Sequence, residues 1–247
     1  MLVTCIVDLF RPSVGFAAVR LLEAAGCTVA VPGDQTCCGQ PAYTGGDRRA
    51  AQALARRTIA LFEGFDHVVA PSGSCAAVLG RHYPALLADD PAWAGRAAAL
   101  APRVWELTAY LVTVCGLDRL EARFDGAATY HDCCSGLREL GVKAEPRALL
   151  GRVDGLSLTE MAEAEICCGF GGAFCVKYPP VAEAMAAAKA AAIAATGAGT
   201  LLAGDLGCLL HLAGTLSRAQ SPVRVRHVAE VLAGTADGPA IGEPAAQ

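Results

Sequence analysis

Two cysteine doublets, each followed by glycine, constrain this chain more than any other feature. They lie in "DQTCCGQPA" (Cys37, Cys38) and in "EICCGFGGAF" (Cys167, Cys168). Each doublet sits between two outer cysteines at closely matching distances. From Cys5 through Cys37-Cys38 to Cys75 the pattern is C-x₃₁-CC-x₃₆-C. From Cys134 through Cys167-Cys168 to Cys208 it is C-x₃₂-CC-x₃₉-C. A repeat of this length implies duplication of one structural unit.

The apolar patterning repeats with the cysteines. In the first half, 2–10 and 28–32 read as strands, 15–26 and 47–65 as helices, and 67–75 as a strand running into a loop. Asp47 is placed as an N-cap. In the second half, 128–136 reads as strand and loop, 156–161 as a strand, 179–197 as an alanine-rich helix, and 200–208 as strand then loop before a helix over 209–219. A last strand and helix cover 223–234, and 91–116 reads as connecting helices. Alternating strands and helices predict βαβ units and parallel sheets. The expected fold is α/β, with two pseudo-symmetric Rossmann-like lobes at residues 1–122 and 123–234. The Gly/Pro/Ala-rich tail, 235–247, is expected to be disordered.

In a parallel α/β sheet the strand C-terminal ends line one edge, where ligands bind. Each four-cysteine set falls at such ends, so Cys5, Cys37, Cys38 and Cys75 are expected to converge, as are Cys134, Cys167, Cys168 and Cys208. The chain has 12 cysteines and no recognisable export signal, which favours metal ligation over disulfides. Four thiolates suit either zinc or an iron–sulfur cluster. Zinc sites usually draw on C-x₂₋₄-C knuckles, which neither half supplies at the expected place. Adjacent cysteines serve one tetrahedral ion poorly and fit more readily on two irons of a cluster. A vicinal pair can also be simply two small buried residues.

Other features exclude or narrow classes. The formal net charge is -4 and no Lys/Arg block occurs, which argues against a nucleic-acid surface. No run reaches the roughly 18 apolar residues of a membrane span, so a cytoplasmic protein is expected. Cys27 and Cys115 lie in apolar segments and read as core. Cys133 and Cys175 are either spare ligands or packing residues. His131 either closes a strand or hydrogen-bonds a cluster sulfur. Gln35, Gln40 and Ser74 are placed around the first site, Lys177 and Tyr178 around the second. His67, His82, His211 and His227 read as structural or solvated.

The motifs "DQTCCGQPA", "VVAPSGSC", "YHDCC", "CCGFGGAFCVKYP" and "AGDLGCL" resemble the duplicated cysteine-rich CCG domain. That domain occurs in heterodisulfide reductase and in the iron–sulfur subunits of glycolate oxidase and anaerobic glycerol-3-phosphate dehydrogenase. The resemblance is closer still to the lactate utilisation protein A family, a component of an L-lactate dehydrogenase complex, over nearly the whole chain. It implies an iron–sulfur electron-transfer subunit of a complex that oxidises L-lactate to pyruvate. It also implies two companion subunits, one of them ferredoxin-like. Heterodisulfide or thiol–disulfide reductase and glycolate oxidase subunit are the alternatives.

One departure matters. The heterodisulfide reductase pattern closes each repeat with C-x-x-C, whereas Ser72 and Asp205 stand at the first of those positions here. Four thiols per lobe match an ordinary [4Fe–4S] cluster, one per lobe, rather than a five-cysteine one. In the lactate utilisation family serines usually stand where Cys133 and Cys175 are, so the resemblance gives neither an essential role.

Overall fold

The computed structural model describes residues 1–244. The first lobe opens with helices α1 (Cys5–Phe10) and α2 (Pro12–Ala24), then α3 (Gln40–Gly45) and α4 (Arg48–Phe62). Strand β1 (Val68–Ala70) runs into α5 (Gly73–Ala77), a π-helical turn (Val78–His82), α6 (Tyr83–Leu86) and α7 (Ala94–Leu100). Strand β2 (Val104–Glu106) pairs in parallel with β1 and leads into α8 (Leu107–Thr113). Asp47 caps α4, its side chain accepting from Ala50 N at 2.9 Å.

The second lobe contains β3 (Arg123–Tyr130), α9 (Cys134–Leu140), α10 (Ala144–Leu150), β4 (Asp154–Leu158), α11 (Phe174–Lys177) and α12 (Pro179–Ala195). It ends with β5 (Thr200–Ala203), α13 (Leu206–Arg218), β6 (Arg224–His227) and α14 (Val228–Leu232). Its four strands are all parallel in the order β4-β3-β5-β6.

Two expected strands of the first lobe do not form. Residues 5–10 are helical, and 28–32 carry no regular structure. Residues 1–4 nevertheless lie beside β1, with Leu2 N donating to Val69 O at 2.9 Å. On their other side Gln35 replaces a strand neighbour. Its side-chain oxygen accepts from Val3 N at 2.9 Å and its amide nitrogen donates to Met1 O at 3.2 Å. A side-chain amide thus satisfies backbone groups that a ladder would otherwise pair.

The duplication survives in local detail. Leu2 N to Val69 O has its counterpart in His131 N to Leu202 O, also 2.9 Å. The buried face of α4 is Ala51, Ala55, Thr58, Ile59 and Phe62. That of α12 is Ala182, Ala186, Lys189, Ala190 and Ile193, at the same spacing. This i, i+4, i+7, i+8 pattern is the face of a helix packed on a core. Lys189 therefore occupies the place of Thr58.

The lobes are fastened together. A Cβ on Gly73 of α5 would stand 2.8 Å from Gly136 Cα of α9, so these helices meet backbone to backbone. Arg11 and Ser13 at the start of α2 bind Glu230 of α14 at 2.9 and 2.7 Å. One continuous core takes Val14, Leu21 and Leu22 from α2 together with Leu201, Leu209 and Val231. A second, smaller core lies within the first lobe around Ile59, Phe62, Leu79 and Leu100.

The expectation of a disordered tail needs correction for residues 235–244. Ile241 N donates to Val225 O at 2.8 Å, extending the pairing along β6, and Ala240 and Ile241 are buried. Arg226 donates to Gly238 O, and Arg224 pairs with Glu243 at 3.0 Å. The alanine and isoleucine in this segment supply the apolar contact that its overall composition conceals. Residues 245–247 lie outside the described residues.

Candidate metal or cluster sites

Each outer cysteine takes the same helical position in both lobes. Cys5 and Cys134 are the first residues of α1 and α9. Cys75 and Cys208 are the third residues of α5 and α13, inside the first turn rather than ahead of it. The doublets precede glycines in the left-handed region, Gly39 at φ 88° and Gly169 at φ 89°. That conformation turns main-chain N–H groups back onto sulfur. Gly39 N donates to Cys37 Sγ and Gly169 N to Cys167 Sγ, both at 3.4 Å.

The structure brings each expected set together. Cys38 and Cys75 stand 3.3 Å apart, Sγ to Sγ. Cys37 is within hydrogen-bonding reach of both Cys38 and Cys5. In the second lobe Cys167 is likewise in reach of Cys134 and Cys168, and Cys168 of Cys208. Crowded thiols compete for one negative charge. Facing the Cys38 and Cys5 thiols and the Gly39 N–H, Cys37 is held far below an ordinary thiol. Cys167 is lowered for the same reason by Cys134, Cys168 and Gly169 N–H. Their donor partners Cys5, Cys38, Cys134 and Cys168 are all pushed up. All 12 cysteines are free thiols.

Ser72 and Asp205, which stand in place of the fifth thiols, meet each other. Asp205 Oδ2 accepts from Ser72 Oγ at 2.9 Å, Ser74 N at 3.1 Å and Ser74 Oγ at 2.6 Å. Its Oδ1 caps α13 by accepting from Gly207 N at 3.1 Å. Ser72 caps α5 in the same way through Cys75 N at 3.4 Å. The two caps hold the two sulfur-bearing helices head to head, and both Asp205 oxygens are engaged. A cavity of about 180 Å³ opens beside the first group, lined by the four first-lobe cysteines and, from the second lobe, by Phe170, Gly172, Asp205 and Leu206.

The second site differs from the first. His131 is fully buried and neither ring nitrogen has a partner. One of its nitrogens and the sulfurs of Cys168 and Cys208 lie within 4.8 Å of one another. Burial holds its pKa down near 4, so the imidazole is neutral. Its first-lobe counterpart is Leu2. Lys189 adds a buried ammonium beneath the second doublet, bonded to Glu163 O and to Ala164 O. Cys133 is in reach of Cys208, which is raised first by that contact.

Several other expectations resolve. Gln40 and Ser74 line the cavity, while Gln35 serves the backbone. Cys175 turns away, its thiol facing Gly172 O at 3.5 Å. Lys177 reaches Gly45 O of the first lobe at 3.3 Å, and Tyr178 is exposed. His227 caps α14 through Ala229 N, and His82 pairs with Glu139 across the lobes. Cys27 and Cys115 are half-buried, pack against the main core as expected, and face each other. Sequence reasoning missed Lys189. Its signal was a single lysine on the alanine face of a helix.

Comparison with known proteins covers both lobes. Residues 1–80 and 128–213 match the cysteine-rich CCG domain, once per lobe. Lactate utilization protein A of Bacillus subtilis (strain 168) is 44% identical over 94% of this chain and 97% of its own length. The chain belongs to the Lactate utilization protein A family. The protein of that name from Geobacillus kaustophilus is 45% identical over 94% of this chain and 97% of its own. The one from Exiguobacterium is 44% identical, covering 94% and 95%. Family membership therefore spans both lobes and both sulfur groups. No helix among the described residues is long and apolar enough to cross a membrane.

Proposed function

We propose that this chain is the iron–sulfur electron-transfer subunit of a cytoplasmic L-lactate-oxidising system, with one [4Fe–4S] cluster per lobe. The ligands are Cys5, Cys37, Cys38 and Cys75 in the first lobe, and Cys134, Cys167, Cys168 and Cys208 in the second. The observation that carries this reading is the matched pair of four-thiol groups at equivalent helix positions. Membership of a family named for lactate utilisation supplies the pathway. The lobes are residues 1–122 and 123–234.

The residues suit such a group chemically. Each set is all-thiol, and each doublet turn aims Gly39 or Gly169 N–H at a ligand sulfur. Helix N-termini at Cys5, Cys75, Cys134 and Cys208 favour anionic sulfur. A bound cluster would supply reversible one-electron storage. The chain's own part is to hold the two sites side by side through Gly73, Gly136 and the Ser72–Asp205 hydrogen bond, and to keep water from Cys38, Cys75, Cys168 and Cys208. With four hydrogen bonds to its two oxygens, Asp205 serves as a strut between the lobes. Two companion subunits, one of them ferredoxin-like, would exchange those electrons with this chain.

The test is anaerobic purification followed by iron and sulfide analysis and EPR. Deletion of the gene should abolish growth on L-lactate and spare growth on glycolate. Colourless protein with stoichiometric zinc, or protein that holds no iron after reconstitution, would overturn the proposal.

A further inference from the structure

Cys27 and Cys115 belong to neither sulfur group, yet they face each other with sulfurs 3.7 Å apart. They are 88 residues apart in sequence and both are half-buried. Each follows a helix end. Cys27 N closes α2 on Leu22 O at 3.0 Å, and Cys115 N closes α8 on Tyr110 O at 3.1 Å. Glycines in the left-handed region adjoin both, Gly26 at φ 84° and Gly116 at φ 61°. No proposed cluster ligand lines the cavity beside Cys27. Cys27 lines a cavity of about 350 Å³ with Phe65, Asp66 and His67, which lead into the start of β1. Cys75 lies beyond the other end of that strand. Tyr110 also lines the cavity, its hydroxyl 3.9 Å from Cys27 Sγ.

We propose that Cys27 and Cys115 form a reversible dithiol–disulfide pair, oxidised by small disulfides, which fastens the segment between the lobes to the first lobe. An S–S bond is about 2.05 Å long, so the sulfurs must close by about 1.7 Å. The chain on either side of each cysteine is free of strand pairing, and side-chain rotation with a small loop shift supplies that movement. The cavity gives a small disulfide access to Cys27.

The reaction proceeds by exchange. Cys27 thiolate attacks one sulfur of the disulfide RSSR. The S–S bond breaks, a Cys27–SR bond forms, and RS⁻ leaves and takes up a proton. Cys115 then loses its proton and attacks Cys27 Sγ, and the second RS⁻ leaves as the thiol. Two protein thiols and RSSR become one protein disulfide and two RSH, with two electrons passing from protein to RSSR. Burial, with Cys27 beside it, raises the Cys115 thiol to about 11. It therefore acts second, once the mixed disulfide is held next to it. A thiol reductant reverses both steps. Cys115 lies on the connection leading to β3, so its oxidation ties that connection to the loop after α2.

The experiment treats the anaerobically purified full chain with 2-hydroxyethyl disulfide, blocks remaining thiols by alkylation and maps peptides by mass spectrometry. The expected result is a cross-linked peptide joining Cys27 to Cys115, two hydrogens lighter than the separate peptides, abolished by dithiothreitol. With Cys115→Ser, Cys27 should instead retain one hydroxyethylthio group. Iron content should be the same in wild type, Cys27→Ser and Cys115→Ser. Separate adducts on Cys27 and Cys115, or unmodified thiols at both, overturn the pair, as does loss of iron in either serine variant. The cross-link is scored on its own peptide, so a chain that holds no iron would overturn the cluster reading and leave this result legible.

Discussion

Replacing Asp205 should weaken the junction between the lobes more than any neighbouring substitution. Its carboxylate accepts four hydrogen bonds in a site only 4% exposed, three of them from the first lobe. Asp205→Ala removes the α13 cap, at a cost of ~1 kcal/mol. It also leaves the Ser74 N–H, enclosed between the lobes, without its acceptor, and lets two serine hydroxyls rotate toward each other, 3.2 Å apart. One enclosed donor without a partner costs ~1–3 kcal/mol. The sum is ~2–4 kcal/mol. Asp205→Ser copies Ser72 and keeps the cap, so it should cost roughly half as much. Asp205→Asn keeps the shape, but one of its two positions must turn an NH₂ group toward a donor, and it should fall between them. The assay is urea unfolding of the anaerobically prepared protein, followed by far-UV circular dichroism and by iron release. If Asp205→Ala stayed within ~0.5 kcal/mol of wild type, the range of an inert surface substitution, the interlobe hydrogen bonds would contribute no net stability and the reasoning would be refuted.

The remaining predictions use other parts of the structure. A Cβ on Gly169 would stand 2.6 Å from Ala182 O, whereas on Gly39 the nearest atom is Leu54 Cβ at 3.3 Å. Left-handed backbone costs any alanine ~1–2 kcal/mol and overpacking adds ~1–3 kcal/mol. Gly169→Ala should therefore lose ~2–5 kcal/mol and Gly39→Ala ~1–2 kcal/mol, read as paired unfolding midpoints. Glu106 is buried and its carboxyl is raised by that burial to about 7. A carboxyl raised on folding stabilises below its unfolded pKa and loses that contribution as pH rises through about 7. Wild type should accordingly lose up to ~3 kcal/mol relative to Glu106→Gln between pH 4.5 and 8, and parallel pH profiles would contradict this. His131→Leu copies Leu2 and removes the ring nitrogens beside Cys168 and Cys208. In an EPR redox titration it should move one of two potentials toward the other, because a ring N–H turned to cluster sulfur would raise the potential of that site alone. Two unchanged potentials would remove His131 from the second site.

The grouping of the cysteines was more legible in the sequence than the strands were. Cys5, Cys37, Cys38 and Cys75, and their second-lobe counterparts, were placed by spacing alone, because cysteine chemistry leaves few alternatives to a matched repeat. The long helices α4 and α12 also followed from the sequence, since apolar spacing and, at α4, the Asp47 cap agree. Residues 2–10 misled because an apolar run serves equally well as a buried helix turn or as a strand. The Gln35 amide, distant in sequence, takes up Val3 N and Met1 O in place of a neighbouring strand. The Ser72–Asp205 contact was invisible for a related reason. Each position was read within its own repeat, whereas the hydrogen bond joins the two across 133 residues. Lys189 and Thr58 differ in charge at one equivalent place, and a duplicated pattern hides such a difference until the faces are superposed.

The most direct test of the central claim is iron and sulfide analysis of four proteins purified without oxygen. These are wild type, the Cys37→Ser/Cys38→Ser double variant, the Cys167→Ser/Cys168→Ser double variant, and the variant carrying all four changes. The account predicts about four iron and four sulfide per lobe in wild type. Each double variant should keep half of that, with a single EPR-active cluster, and the combined variant none. Full iron in the combined variant, or equal iron in all four proteins, would contradict it.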